Sequence, residues 1–473
     1  MENFWDSSIW GFIILMGMIL GSLLIANALR KSIPWLKSSL IPSSVLAGTM
    51  LLIVAAIYRA ITGNLFFESE VLFAGKGFVY LEMLTYHCLA LGFIAGALKS
   101  TGEKLTKQRV GEVINTGVTT VSTYLLQGAI GLGITLIVAL VIPGFFKAAG
   151  VLLPFGYGQG SGQAMNYGMI YEGMGFEGGK SFGLTVAALG FLCASFGGVI
   201  HLNIMKRKGK LPQQQQSDEE IIHEEAIQSK NEIPMQESVD KLTIQIALVA
   251  VSYLIAYLVM LVLGTLLPGM RNVIYGFNFL LGVLAAVVVK MVLKLLKRIG
   301  WMKKEHTNNF LLTRVSNFFY DIMVVAGIGA IRLDMLEKYW GVLLILGAAG
   351  FVFTYAYNRL VAKALFKNYT EEQFLAMYGM LSGTASTGII LLREVDSEFK
   401  TPAADNLVYQ NFPAIVLGFP MMFLATLAPD KPILTLIIFI VFFLVLNVYL
   451  FRGFLFKKRV KAQPQEEQPT SEE

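Results

Sequence analysis

The chain has 473 residues, 55% of them hydrophobic and only 15% charged, with a formal net charge of +6. A water-soluble fold of this size needs a larger charged share to cover its surface, so the composition excludes one and requires a lipid-facing exterior. The basic residues are spread among loops instead of forming one patch, which excludes a nucleic-acid partner.

In chain order, the first apolar run covers 9–29. Ala26-Asn27-Ala28 imitates a signal cleavage site, but the residues before the run carry Glu2 and Asp6 and no base. The run is therefore read as a transmembrane helix. Runs at 113–142 and 433–451 are likewise long enough to cross about 30 Å of hydrocarbon. Lipid does not tolerate unpaired backbone, so the spans must be helices. Eleven are predicted, at 7–29, 39–61, 79–99, 112–142, 180–205, 242–267, 272–297, 309–331, 340–362, 406–428 and 432–455.

Two further apolar segments have the wrong chemistry for a lipid-facing span. Residues 151–176 contain seven glycines, and 374–392 mix glycine with Ser382, Thr384, Ser386 and Thr387. Both are expected to be re-entrant hairpins. With the N-terminus outside and both segments re-entrant, the cytoplasmic helix flanks hold 24 basic residues. The outer loops then hold seven, or eight with Arg59, in keeping with the positive-inside rule. Making the first segment a full span would put Lys206, Arg207, Lys208 and Lys210 outside.

The expected fold class is thus an all-α polytopic membrane protein. Two inverted-topology halves, 1–205 and 242–428, each hold five helices plus one re-entrant hairpin, and an extra C-terminal helix follows at 432–455. Residues 206–241 read as a disordered cytoplasmic linker, with a short surface helix possible around Ile221-Ile222-His223-Glu224, and 456–473 as a cytoplasmic tail. Gly156-x-x-x-Gly160-Ser161-Gly162 parallels Gly379-x-x-x-Gly383-Thr384-Ala385, and Glu172 and Glu394 follow Gly160 and Gly383 by 12 and 11 residues.

Broken helices at the midplane suit solute binding, because free amides meet anions and loose carbonyls meet cations. The candidate substrate residues are Gly158, Gln159, Gly160, Ser161, Gly162, Gln163 and Asn166 in the first hairpin. Ser382, Gly383, Thr384, Ser386 and Thr387 are their counterparts in the second. Their hydroxyls donate to a carboxylate or accept from sodium. The competing reading is close helix packing by small residues. Asp321, in Asn317-Phe-Phe-Tyr-Asp321 of the eighth helix, is a candidate sodium or proton ligand, with Asn317 one turn earlier. Otherwise Asp321 pairs with a donor on a neighbouring helix or lies nearer the interface. Glu82 is expected at the interface, His87 as a packing histidine, and Arg59 and Lys290 as snorkelling bases. Cys88 and Cys193 read as small packing residues. His201, His223 and His306 lack metal-ligand spacing, no nucleophile and base pair stands out, and no enzyme is expected. No cofactor is expected beyond a coupling ion.

Several of these segments resemble the sodium:glutamate symporter family of bacteria, across about residues 20–428. The resemblance rests on Ile41-Pro-Ser-Ser-Val-Leu-Ala-Gly48, on Gly158-Gln-Gly-Ser-Gly-Gln-Ala164, on Asn317 and on Gly383-Thr-Ala-Ser-Thr387. It implies ten helices, two opposed re-entrant loops forming the site, and a central cytoplasmic loop. It further implies sodium-coupled uptake of an amino-acid anion across the bacterial inner membrane by a homodimer whose core moves against a scaffold. Gln159 stands where that family has histidine, no proline follows Ala385, and the eleventh helix is additional. The expected partners are the bilayer, sodium and glutamate or a related small carboxylate. Rival readings are a cation/proton antiporter using Asp321, a carrier of another organic anion, a channel, and a non-transporting receptor or regulator.

Overall fold

The structure, a computed structural model, describes residues 4–99, 107–209, 239–396 and 400–455, which form an all-helical molecule. Most of the linker 206–241, including the short helix expected in it, and the tail 456–473 lie outside the described residues.

The first helix, α1 (Ser7–Ser32), stops at Ile33 because the residue before Pro34 is pushed out of helical geometry. A short helical turn over Pro34–Ser38 follows, and α2 (Ser43–Thr62) starts directly after Pro42 and ends on left-handed Gly63. Then come α3 (Gly77–Leu98) and α4 (Lys107–Val141). A 3-10 turn at Lys147–Val151, a π-helical turn at Pro154–Gly158 and α5 (Ser161–Glu172) occupy the first glycine-rich segment. The half closes with α6 (Gly179–Arg207).

The second half contains α7 (Lys241–Leu266), α8 (Asn278–Arg298), α9 (Asn309–Gly329) and α10 (Trp340–Leu365). The second polar segment forms α11 (Thr370–Ser382) and α12 (Ala385–Arg393). It is followed by α13 (Ala403–Tyr409), α14 (Asn411–Leu427) and α15 (Pro432–Leu450).

Among the described residues, ten helices are long and apolar enough to cross a membrane, and α13 with the bulk of α14 makes an eleventh if that bent pair is one span. The bend is 50° where 406–428 was expected to run straight. Pro413 has no amide to continue the ladder from α13. The predicted span 272–297 is also divided, with a short helix at Arg271–Gly276 turning into α8 at Phe277.

Burial runs opposite to that of a soluble bundle. On α15 the exposed side chains include Ile433, Leu434, Ile437, Val441, Leu444 and Val445, whereas Thr435 is buried with Phe439. On α4 the buried set includes Thr116, Thr119, Thr120, Ser122, Thr123 and Gln127. Apolar side chains outward and hydroxyls inward is the pattern lipid imposes.

Candidate functional site

Each glycine-rich segment folds back on itself. In the first, Phe155 of the π-helical turn stacks on Tyr167 of α5, with ring centroids 3.6 Å apart. The second brings Gly388 of α12 against Gly379 of α11, so that a Cβ on Gly379 would lie 2.8 Å from the Gly388 backbone. The two parallel sequence motifs fall at matched places in these hairpins. The Gly160 amide donates to the Gly156 carbonyl at 3.2 Å, and the Gly383 amide to that of Gly379 at 3.0 Å. The helix breaks at the second glycine in both cases. Gly160 has φ 84 and ψ −176, a region open essentially to glycine alone.

Two long helices touch both hairpins in order along their length. Along α10, Tyr339 at the start packs its ring 5.5 Å from Phe176 at the base of the first hairpin. The Gly347 carbonyl accepts from the Tyr157 hydroxyl at 2.6 Å. At the far end Arg359 grips Glu371, at the base of the second hairpin, with two bonds of 2.6 and 2.7 Å. The 26 residues of α10 span about 39 Å, so the two bases lie near opposite ends of one helix. Helix α6 repeats the order: Gly183 abuts Ala164, Gly190 meets Tyr157 and the Ser382 carbonyl, and His201 bonds Glu371 at 2.8 Å. Between the bases the tips come together, for a Cβ built on Gly160 would lie 3.9 Å from Thr384 Cγ2.

The polar groups along the two hairpins are buried and short of partners. Ser161, Gln163, Asn166, Ser382 and Thr387 are at most 1% exposed, and Gln159 and Thr384 are half-buried. Gln159 Nε2, Ser161 Oγ, both amide atoms of Gln163, Asn166 Oδ1 and Ser382 Oγ have no hydrogen-bond partner among the described residues. Leaving such atoms unpaired costs about 1–3 kcal/mol each, so their number along the two hairpins needs an explanation. Asn166 Nδ2 does donate, to the Gly276 carbonyl at 3.2 Å. No side chain caps α5 at Gly160, which leaves the first amides of a twelve-residue helix facing the junction. In α12, Thr384 caps the Thr387 amide at 3.3 Å. Ser386 lies in the first turn of α12, and Gly158, Gly162 and Gly383 line the two breaks.

The candidate sodium ligands lie elsewhere. Asn317 and Asp321 share an exposed face of α9 with Arg314 and Phe318, and Asp321 neighbours Ser44 at the start of α2. The tip meets α9 further along, where a Cβ on Gly327 would sit 3.0 Å from Ser161 Oγ. The structure brings the Gly160 and Thr384 tips together, and Asn317 and Asp321 lie on a different face of α9 from the residues that meet the first tip. Glu82 bonds Lys180 at 2.7 Å, and His87 is satisfied by the Tyr253 hydroxyl at 2.7 Å. Arg59 lies 3.8 Å from Glu337. The Lys290 ammonium is drawn to the last carbonyls of α3, at Ala97 and Lys99. Both cysteines are free, Cys88 buried and Cys193 half-buried, and Cys193 Sγ lies 3.2 Å from the Tyr157 hydroxyl.

Sequence reasoning passed over Gln127, Tyr124 and Thr354. Gln127 donates to Thr354 Oγ1 at 2.8 Å and to the Leu381 carbonyl at 2.9 Å, and the Tyr124 hydroxyl donates to the Gly158 carbonyl at 3.1 Å. The available signal was the run of hydroxyls from Thr116 to Thr123 ending in Gln127, unusual inside an apolar span.

At the base of the second hairpin, burial raises the Glu371 carboxyl, but the bonds from Arg359 and His201 outweigh it and hold the group below its ordinary value. Neighbouring Glu372 is raised, chiefly by burial. Two clefts of about 380 Å³ each open at this base and are lined by residues such as Arg359, Lys363, Arg109 and Tyr369, none of them from the tips.

An all-helical fold with ten helices, among the described residues, long and apolar enough to cross a membrane is that of a polytopic membrane protein. No protein-family model matches the chain, and no curated protein matches it either.

Proposed function

We propose that the protein is a sodium-coupled secondary symporter that takes up glutamate or a related small carboxylate or amino acid. The observation carrying this reading is the meeting of two hairpin tips, on segments whose buried polar atoms lack partners among the described residues. In the proposed arrangement the hairpins are re-entrant, enter from opposite faces and belong to two inverted halves. Their bases at opposite ends of α10 and α6 support it, as does the excess of basic residues on one set of loops. A carboxylate fits the uncapped amides of α5 together with the hydroxyls of Ser161, Ser382 and Thr387. Sodium fits the carbonyl and amide oxygens around it.

Transport would proceed by alternating access, an elevator-like passage of the hairpin-bearing core against the remaining helices of a homodimer. The membrane is the bacterial inner membrane, with the N-terminus outside and the C-terminus in the cytoplasm. The segments resembling sodium:glutamate symporters support the substrate class, and the membrane potential, about 2.3 kcal/mol per charge per 100 mV, adds to the driving force on sodium.

Proteoliposomes loaded with potassium salt and diluted into sodium buffer are expected to accumulate labelled glutamate, or another small carboxylate from a panel. Uptake that ignores the sodium gradient removes the coupling, and failure to accumulate any carboxylate removes the function.

A further inference from the structure

The charge inventory around the tips leads beyond the identity of the solutes. Among the described residues, the buried acidic and basic side chains are His201, Lys241 and Asp396. His201 lies at the base of the second hairpin on Glu371, and Asp396 accepts from the amides of Lys400 and Thr401, each at 2.8 Å. Lys241 opens α7. None of the three belongs to the tips or to the side chains packed against their glycines, which include Tyr124, Gln127, Leu89, Met323 and Ala194.

Gln127 adds a directed acceptor to this neutral surround. Its side chain is 1% exposed. The Leu381 carbonyl can only accept, so the amide nitrogen must face the second hairpin, and the orientation of the amide is fixed by that bond. Oε1 consequently points the other way, toward the first hairpin, 3.2 Å from where a Gly158 Cβ would stand. That oxygen has no partner among the described residues. One side chain thus ties the second hairpin with its donor and offers the first hairpin an unused acceptor.

We propose that the junction holds a monovalent cation and a carboxylate only as a pair, with Gln127 Oε1 among the oxygens that bind the cation. The inference rests on the symporter reading and deepens it. A largely buried junction of neutral side chains penalises either ion alone, because no buried charge beside it offsets the lost hydration. Two opposite ions entering together offset one another. Neutral carbonyl, amide and hydroxyl oxygens without a resident carboxylate match a monovalent cation and not a divalent one. Coupling then needs no relay through the protein, and each solute raises the affinity for the other by the same factor.

The test is the thermal unfolding of the purified full chain in detergent, with sodium or N-methylglucamine chloride and with or without glutamate or the panel carboxylates. Sodium and carboxylate together raise Tm, and neither does so alone. Gln127→Met keeps the length but loses the oxygen, and it raises the sodium concentration for half-maximal effect at least tenfold while preserving the response at saturating sodium. Gln127→Glu supplies the missing charge, and sodium alone then raises Tm. A wild-type response to either solute alone overturns the pairing, even where sodium-driven uptake persists. An unaltered sodium midpoint in Gln127→Met removes Gln127 from the site. If Gln127→Met does not fold, Gln127→Glu and the wild-type arms decide. The absence of a response to every sodium and carboxylate combination, with no uptake, overturns the symporter reading itself.

Discussion

Gly160 shows how one residue ties backbone geometry to the proposed chemistry. Its φ of 84 and ψ of −176 let the chain leave the π-helical turn and start α5 at once, aiming uncapped amides at the junction. A Cβ there meets only Thr384 Cγ2 at an ordinary 3.9 Å, so the obstacle to Gly160→Ala is the backbone and not the space. The substitution is expected to cost about 1–3 kcal/mol, visible as a lower Tm. Uptake should fall further than stability does, because relaxing the strain turns the amides away. Asp321 gives the contrasting case. It lies on the exposed face of α9 beside Ser44, apart from the tips. Asp321→Asn is therefore expected to leave sodium-dependent glutamate uptake within about threefold, corresponding to about 0.6 kcal/mol. Complete loss, with proton-driven cation exchange abolished in the same vesicles, would favour an antiporter.

At the level of elements, much was legible and some was not. Span positions follow from long apolar runs, and the breaks within the two polar segments from their glycine content. The matched breaks at Gly160 and Gly383 were already visible in the spacing of Gly156 and Gly379. What escaped was lateral packing. Nothing in a linear pattern places Gln127 of α4 beside Leu381, because that contact depends on how three helices rotate about their axes. Nor did the sequence separate the apolar run 406–428 into α13 and α14, since hydropathy does not register the missing amide of Pro413. Pairing across elements was likewise hidden, as with Arg359 and His201 on Glu371.

That pairing carries its own prediction. The Glu371 carboxyl sits below its ordinary value of 4.5 in the folded state. A depressed acid contributes stability that is fully present above the unfolded value and is lost as pH falls through the folded one. The contribution should therefore disappear only below about pH 4.5. Glu371→Gln removes it at neutral pH, at an expected cost of about 2–3 kcal/mol, because Arg359 is left partly buried without its bidentate partner. Tm measured against pH should show wild type and variant converging on the acid side. A constant gap down to pH 3 would assign the loss to packing.

For the whole molecule, the question is which compartment each hairpin base faces. Residues Lys147 and Glu177 flank the first hairpin, and Lys367 and Lys400 flank the second; all four are exposed. The base of the first packs at the Tyr339 end of α10 and that of the second at the Arg359 end. If α10 spans the bilayer, a continuous helix of 26 residues cannot present both ends to the same side. Single cysteines at the four positions, in a background with Cys88→Ala and Cys193→Ser, turn this into a labelling experiment. The serine preserves a polar group beside Tyr157, whose hydroxyl lies 3.2 Å from Cys193 Sγ. With an impermeant maleimide on intact cells, positions 147 and 177 are expected to react together, and positions 367 and 400 only after permeabilisation. Opposite reactivity of the two flanks of either hairpin would make that segment a full span. It would also move the basic residues following it to the other face, and the tips could then no longer meet as two opposed gates around one solute.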